Sequence, residues 1–292
     1  MNAPLLTFGI PAYRRPRLLR ETLASLAAQT TSTDYEVVVA DDGCLEEARL
    51  AAESFPGGRC RYVANRPALG AIANWNRCLE LARGKWVMIL HEDDILFPWY
   101  LQCVLPRLRE SVAAVCTQTA QGPTPPALSP PSGRPAVLAY KPRFFIKSSM
   151  SPFPGVLFRR EIGQRLGGFS EAWGPLADYE FWYRLACAGP VEVVRVRAAF
   201  YRVAPGQWTE QSWPRMLRET HLLRLRIARE QFGGAPRLGR WLARFFTCRN
   251  ARSYARRFAE RPVALKRALE LGRIPLASIP SGWIWQLLKI CG

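Results

Sequence analysis

Short runs of apolar, often β-branched residues alternate with amphipathic stretches over the first 120 residues. "LLTFGI" (5–10) predicts a strand, and "RPRLLRETLASLAAQT" (15–30) a helix with Leu19, Leu23 and Leu26 along one face. "YEVVVA" (35–40) predicts a buried strand, followed by a helical "LEEARLAAESF" (45–55). "CRYVA" (60–64) with "AIANWNRCLELA" (71–82) repeats the pair. "KWVMIL" (85–90) with "WYLQCVLPRLRE" (99–110) repeats it again, with Pro106 marking a kink. "VAAVCTQT" (112–119) closes the series as a strand. Strands separated by helices of this length predict a mostly parallel sheet flanked by helices, an α/β fold. Such sheets bind ligands beyond the carboxyl ends of their strands. Three loops occupy those ends: "PAYRR" after the first strand, "DDGC" (41–44) after the second and "HEDD" (91–94) after the fourth. They are expected to face one crevice.

The pattern changes further on. "QGPTPPALSPPSGRPA" (121–136) holds six prolines and two glycines, and predicts an irregular loop. "PGVLFRREIGQRLGGF" (154–169) predicts a short strand, a helix and a Gly-Gly stop. "LADYEFWYRLACAG" (176–189) predicts an amphipathic helix, and "VEVVRVRAAFYR" (191–202) a strand. "SWPRMLRETHLLRLRIAREQF" (212–232) and "PRLGRWLARFF" (236–246) predict Arg-rich helices. The chain is therefore expected to divide into a domain over 1–210, with halves 1–120 and 137–210, and a basic helical extension over 211–292.

Charge sharpens that division. Forty-one Lys and Arg against 23 Asp and Glu give +18, and 17 basic against 4 acidic residues after 210 place +13 of it in the extension. Such an excess favours an anionic partner. The stretch "IPLASIPSGWIWQLL" (274–288) is uncharged, but two prolines and its length argue against a spanning helix. Trp283, Trp285 and Lys289 suit a lipid headgroup layer, so the extension is expected to meet an anionic membrane surface. No nucleic-acid-binding module is recognisable, which counts against the competing reading of a basic nucleic-acid-binding protein. The eight cysteines form no C-x-x-C pair, which excludes the common zinc spacings and suits a reducing compartment. The start "MNAPLLTFGIPAYRR" has no signal-peptide pattern. The expected location is cytoplasmic, peripheral on the inner face of the plasma membrane.

Glu92, Asp93 and Asp94 stand together after the fourth strand in a chain poor in acid. Neighbouring carboxylates repel, so such a triplet is either a solvated turn or a site for a divalent cation with oxygen ligands. The segments "GIPAYRRPRLLRETLASLAAQ", "VVVADDG", "NRPALGAIANWNRCLELARGKWVMILHEDDILFP", "GGF" and "ADYEFWYRLA", in that order, resemble the inverting glycosyltransferases of family two, which have a GT-A fold. The resemblance covers roughly residues 5–205. It implies inverting transfer of a sugar from a nucleoside-diphosphate sugar, of UDP or dTDP type, to a hydroxyl of a glycan or lipid-linked acceptor in cell-surface polysaccharide synthesis.

The same resemblance implies roles for matching positions. Asp93 would be the direct ligand of Mg²⁺ or Mn²⁺, with Asp94 supporting the metal or the donor sugar. Pro11, Ala12, Tyr13, Asp41, Asp42, Asn65, Gly70, Asn74 and Asn76 would contact the donor, and Arg202 its phosphates. Asp178 would be the base that takes the proton of the acceptor hydroxyl, with Glu180 as substitute and Trp182 shaping the acceptor pocket. His91 is expected to be structural or supporting rather than a ligand. One departure stands out: "YRVAPGQ" (201–207) has Ala204 where the family often carries a histidine that helps hold the metal or diphosphate. It motivates a second alternative, an inactive glycosyltransferase-like scaffold.

Overall fold

The computed structural model describes residues 3–204 and 208–257; the segment with Trp283 and Trp285, and the end of "YRVAPGQ", lie outside them. The chain forms two compact units. One runs to Ala139 and resumes over Met150–Ala204; the other comprises Tyr140–Ser149 and the described residues from 208 onward. The first therefore stops a few residues before the boundary expected at 210, and a short internal segment belongs to the second.

In the first unit the elements follow in order β1 (Leu6–Ala12), α1 (Pro16–Ala27), β2 (Tyr35–Asp41), α2 (Glu46–Glu53), β3 (Cys60–Ala64), α3 (Ala71–Leu81), β4 (Trp86–Ile89), β5 (Ile95–Leu96), α4 (Tyr100–Val104), β6 (Ala114–Gly122), β7 (Val137–Tyr140), β8 (Val156–Arg159), α5 (Arg160–Arg165), α6 (Ala177–Ala188) and β9 (Val191–Arg202). Local chemistry accounts for several boundaries. Pro16 opens α1, where its missing N–H costs nothing. Glu46 and Glu47 lie in the first turn of α2, beside its positive dipole end. After Val104, α4 tightens into a 3-10 turn that contains Pro106, the site of the expected kink.

The strands form one sheet in the order β3-β2-β1-β4-β8-β6-β9-β5, with β7 also on β9. β3, β2, β1 and β4 are mutually parallel. β8 then runs antiparallel to both β4 and β6, β9 returns parallel to β6, and β5 pairs antiparallel with the end of β9. The sheet is thus mixed beyond β4, where alternation alone suggested parallel continuation. Period-two patterning identifies a strand but not its neighbour, and the two residues of β5 are too few to show a period. Every residue of β2 is buried, as expected of a central strand covered on both faces. Phe8, Ile10, Val37, Val39, Met88 and Tyr100 lie in the core that α1, α2 and α4 help to close.

In the second unit, α7 (Trp208–Gln231) and α8 (Pro236–Arg257) pack on one another and on a turn at 142–146. Leu223, Ile227, Leu242, Ala243 and Phe246 are buried there. Arg224 is buried as well, its Nη1 donating to Thr247 Oγ1 (3.3 Å) and its Nη2 to Lys147 O (3.1 Å). α8 continues past the expected end at 246 because 247–257 contain neither glycine nor proline. No described helix is long and apolar enough to cross a membrane.

Candidate active site

The parallel register aligns the strand ends. Ala12 pairs with Asp41 and Asp41 with Ala64, while Gly9 pairs with Ile89, so a continued register carries Ala12 level with Glu92. The loops after β1, β2, β3 and β4 therefore leave the sheet from one row, with strands roughly 4.8 Å apart. This arrangement brings residues 11–13, 41–43, 65–70 and 91–94 to one edge. Gly43 is needed where two of these loops approach, because a Cβ there would lie 2.8 Å from the Arg14 amide nitrogen.

The acidic turn is held from several sides. Glu92 is buried and points back to β1, its Oε2 accepting the Tyr13 N–H at 3.0 Å. Burial pushes its carboxyl up to about 7. Asp93 is partly exposed, and its Oδ2 meets Arg15 Nη1 at 2.9 Å. Asp94 is fully buried: Oδ1 accepts the Arg202 N–H at 3.0 Å, while Oδ2 has no partner among the described residues. Burial, with Asp93 next to it, raises the Asp94 carboxyl well above the usual range. A ring nitrogen of His91 and carboxylate oxygens of Asp93 and Asp94 lie within 4.8 Å of one another. Buried polar atoms normally find a partner, so an orphan oxygen on a residue that shares such a cluster with two further ligand types fits a cation.

The register of β5 on β9 explains how Arg202 reaches this turn: Ile95 pairs with Phe200, which sets Arg202 beside the residues just before β5. Its guanidinium donates to Asp93 O (2.9 Å), Pro123 O (3.1 Å) and Glu21 Oε2 (2.7 Å). The side chain expected to pair with phosphates instead braces the acidic turn. Asp41 differs from expectation in the same way. Its Oδ1 accepts Gly43 N–H, and its Oδ2 accepts Leu45 N–H and the Tyr62 hydroxyl, so a fully buried carboxylate shapes the turn after β2.

Asp42 organises the next loop. Oδ1 accepts Asn65 Nδ2 (2.8 Å) and Leu69 N–H (3.1 Å), and Oδ2 accepts Gly70 N–H (2.8 Å). Asn65 also donates to Asn74 Oδ1, and Asn74 to Ala40 O, both at 2.9 Å. Asn65 and Asn74 thus tie α3 to β2 from buried positions. Gly70 precedes α3 with φ +86°, a conformation that favours glycine. Asn76 exchanges two hydrogen bonds with the backbone of Phe169 (2.8 and 2.7 Å), anchoring the Gly-Gly turn against α3. Among the residues expected at the donor, Tyr13 carries a large exposed side chain, 53 % open to solvent. Pro11 and Ala12 lie at the end of β1 beneath it.

Asp178 lies in the first turn of α6, partly exposed, with Oδ1 accepting the Tyr179 N–H at 2.6 Å. Burial pushes its carboxyl up to about 6, a suitable range for a proton acceptor near neutrality. Glu180 is buried and engaged by Arg184 Nε through both oxygens, while Arg184 also donates to Leu166 O and Gly168 O. That makes Glu180 part of the scaffold. Trp182, four residues after Asp178, is fully buried and so is core rather than a pocket wall. Its ring lies 5.6 Å from that of Phe153, which lies 4.5 Å from the imidazole of His91. This aromatic series links the Asp178 face of α6 to the acidic turn.

A polar hollow of about 560 Å³ flanks the loop after β3, lined by Asn65, Arg66, Leu69, Asn76, Arg77 and Glu171 among others. Neither the acidic turn nor Asp178 borders it. Sequence reasoning missed two supports of the site, Arg184 and Thr22, whose hydroxyl lies 2.8 Å from the carbonyl oxygens of Glu92 and Asp94. Thr22 left one trace, a polar residue next to Leu23 on the buried face of α1.

A family model described as glycosyl transferase family 2 matches residues 7–167. An uncharacterized protein of Mycobacterium tuberculosis is 27 % identical over 198 residues, 62 % of this chain and 62 % of that protein. An Escherichia coli UDP-Glc:alpha-D-GlcNAc-diphosphoundecaprenol beta-1,3-glucosyltransferase is 27 % identical over 95 residues, 32 % of this chain and 37 % of that enzyme. The chain thus spans less than two thirds of the length of either relative. Among solved structures, Staphylococcus aureus TarS 1-349 in complex with UDP-GlcNAc has a TM-score of 0.65 at 16 % identity, covering 90 % of this chain and 79 % of that one. The mannosyltransferase PcManGT from Pyrobaculum calidifontis, in complex with GDP-Man and Mn²⁺, has a TM-score of 0.58 at 18 % identity, covering 99 % and 80 %. Both likenesses are of fold, and the fold is GT-A. With the family model matching more than half of its length, the chain belongs to glycosyl transferase family 2.

Proposed function

We propose that this protein is an inverting, metal-dependent glycosyltransferase that moves a sugar from a nucleoside-diphosphate donor to a hydroxyl of a glycan or lipid-linked acceptor. The observation that carries this reading is the acidic turn after β4. There a carboxylate oxygen of Asp94 lies within 4.8 Å of donor atoms on Asp93 and His91, and Asp94 also keeps a buried Oδ2 with no partner among the described residues, at the strand ends where such sheets bind ligands.

Asp93 and Asp94 would hold Mg²⁺ or Mn²⁺. The cation would neutralise the charge that develops on the departing diphosphate. The chain's own residues supply the rest. Tyr13, open above the ends of β1 and β2, would flank the base of the nucleotide. Asp42 and its hydrogen-bonded loop would shape the wall beside it, with Asn65, Gly70, Asn74 and Asn76 holding that wall rather than all touching the donor. Asp178 would accept the acceptor's proton as its hydroxyl attacks. An inverting displacement needs one such base and forms no covalent sugar–enzyme bond, which agrees with a lone carboxylate on this face of α6. The donor complexes named for TarS and PcManGT support a nucleotide-sugar donor of some kind, and the E. coli relative a lipid-linked acceptor.

α8 supports peripheral attachment to an anionic membrane. It has no acidic residue, exposes Arg237, Arg240, Arg244, Arg249 and Arg252, and stacks Trp241 on Phe245 at 5.2 Å. Basic residues near anionic lipid contribute about 1 kcal/mol each. The test of the enzymatic reading is a panel of UDP-, dTDP- and GDP-sugars offered to the purified chain, with Mn²⁺ or with EDTA. Donor hydrolysis or transfer that requires the cation and disappears in Asp93→Ala is the expected result. Metal-independent binding of nucleotide sugars without turnover would favour the inactive-scaffold alternative.

A further inference from the structure

We infer that His91 supplies a nitrogen ligand to the divalent cation, completing a His91–Asp93–Asp94 site in a chain that has Ala204 in place of a second candidate histidine. The inference rests on the reading of Asp93 and Asp94 as metal ligands and adds to it the residue that sequence alone assigned to support.

Three observations converge on the imidazole. A ring nitrogen lies within 4.8 Å of carboxylate oxygens of both aspartates. The ring cannot swing freely, because it stacks on Trp75 at 5.5 Å and 26° and packs against Phe153 at 4.5 Å. Its Nε2 is buried without a partner among the described residues, as is Asp94 Oδ2. An imidazole serving only as an aromatic filler would leave one polar nitrogen costing stability, and phenylalanine would fill the space without that cost. His91 and Asp94, three residues apart in one turn, thus each keep an orphaned polar atom and each place a ligand atom in the 4.8 Å cluster, where a cation would be a shared partner.

The surroundings resemble those of ligands elsewhere. Asp94 has its other oxygen fixed by the Arg202 N–H, and the turn itself is pinned by the Arg202 guanidinium on Asp93 O. Such outer hydrogen bonds orient ligating carboxylates. Ala204 lies two residues after Arg202 on the same strand exit, and its methyl side chain offers no lone pair. A donor set of one imidazole and two carboxylates suits Mn²⁺ or Co²⁺ better than Mg²⁺, which prefers oxygen and retains its waters.

The test is pulsed electron paramagnetic resonance of Mn²⁺ bound to the tag-free full chain, without nucleotide. Modulation from a directly coordinated ¹⁴N is expected in the unaltered protein and in His221→Gln, the other histidine. It is expected to vanish in His91→Phe, which keeps the aromatic packing, with a loss of Mn²⁺ affinity of about ten-fold or more. Mn²⁺ binding that depends on Asp93 and Asp94 but shows no nitrogen in the unaltered protein overturns the inference and leaves the two-aspartate reading intact. Nitrogen modulation that survives in folded His91→Phe overturns it equally. Failure to bind Mn²⁺ at all overturns both.

Discussion

Thr22 Oγ1, buried on α1, lies 2.8 Å from the carbonyl oxygen of Glu92 and 2.8 Å from that of Asp94. One hydroxyl proton is shared by two carbonyls that bracket Asp93, so a helix far back in the chain sets the curvature of the acidic turn. Thr22→Val keeps the shape and removes the donor. The expected cost is about 1–3 kcal/mol, because two buried carbonyls lose their partner. Denaturant unfolding checks the stability, and Mn²⁺ titration should show weakened binding at a turn no longer fixed.

Asp42 satisfies three N–H donors from the 65–70 loop. Asp42→Ala should weaken nucleotide-sugar binding by ten-fold or more while costing about 1–3 kcal/mol of stability. Calorimetry with the donor and thermal unfolding of the same sample separate the two effects.

Asp178→Asn should leave donor binding within two- to three-fold of the unaltered protein and reduce transfer by 10²-fold or more, the usual contribution of a positioned base. The pH profile of the unaltered enzyme follows from the carboxyl's value of about 6: transfer should rise with pH through that point as the base loses its proton. A profile flat from pH 5 to 8 in the chemical step would remove Asp178 from the role. Stability moves the other way. A folded carboxyl held above its unfolded value of roughly 4 binds its proton more tightly in the native state, so its contribution is full below pH 4 and is lost as pH rises through 6. Asp178→Asn should therefore be at least as stable as the unaltered chain at pH 8, measured by urea midpoint.

Arg184 neutralises buried Glu180 and holds the carbonyls of Leu166 and Gly168. Arg184→Met should cost about 3 kcal/mol, since it strips the guanidinium from a carboxylate with 3 % exposure. The double variant Arg184→Met/Glu180→Gln should recover much of that loss. No recovery in a denaturation series would argue that Arg184 acts through the Gly-Gly turn alone.

Vesicle co-sedimentation tests α8. Binding to vesicles containing phosphatidylserine should exceed binding to phosphatidylcholine alone, and fall on raising salt. Arg240→Glu with Arg244→Glu should reduce it ten-fold or more without altering turnover on a soluble acceptor. Retention of the chain by DNA at physiological salt, with no preference for anionic vesicles, would point to the other anionic partner.

Much of this protein was written locally. Alternating apolar runs placed β1 to β4 and the helices between them within a few residues, because period and length are properties of the chain itself. The acidic turn announced itself by crowding carboxylates in a basic protein. What the chain could not display was pairing. That β8 inserts antiparallel beside β4, and that Arg202 returns along β9 to brace Asp93 and Asp94, depends on contacts across a hundred residues. The same holds for the individual carboxylates. Asp41 and Asp42 are chemically alike in sequence, yet burial and neighbours turn one into the keystone of its own turn and the other into the anchor of the 65–70 loop. His91 beside "EDD" reads in sequence as a structural or supporting residue. Only folding pins it between Trp75 and Phe153 and brings a ring nitrogen within 4.8 Å of carboxylate oxygens of Asp93 and Asp94. Hydrophobic periodicity decides which elements form; the partner of each polar atom is decided by which distant segments the core brings together.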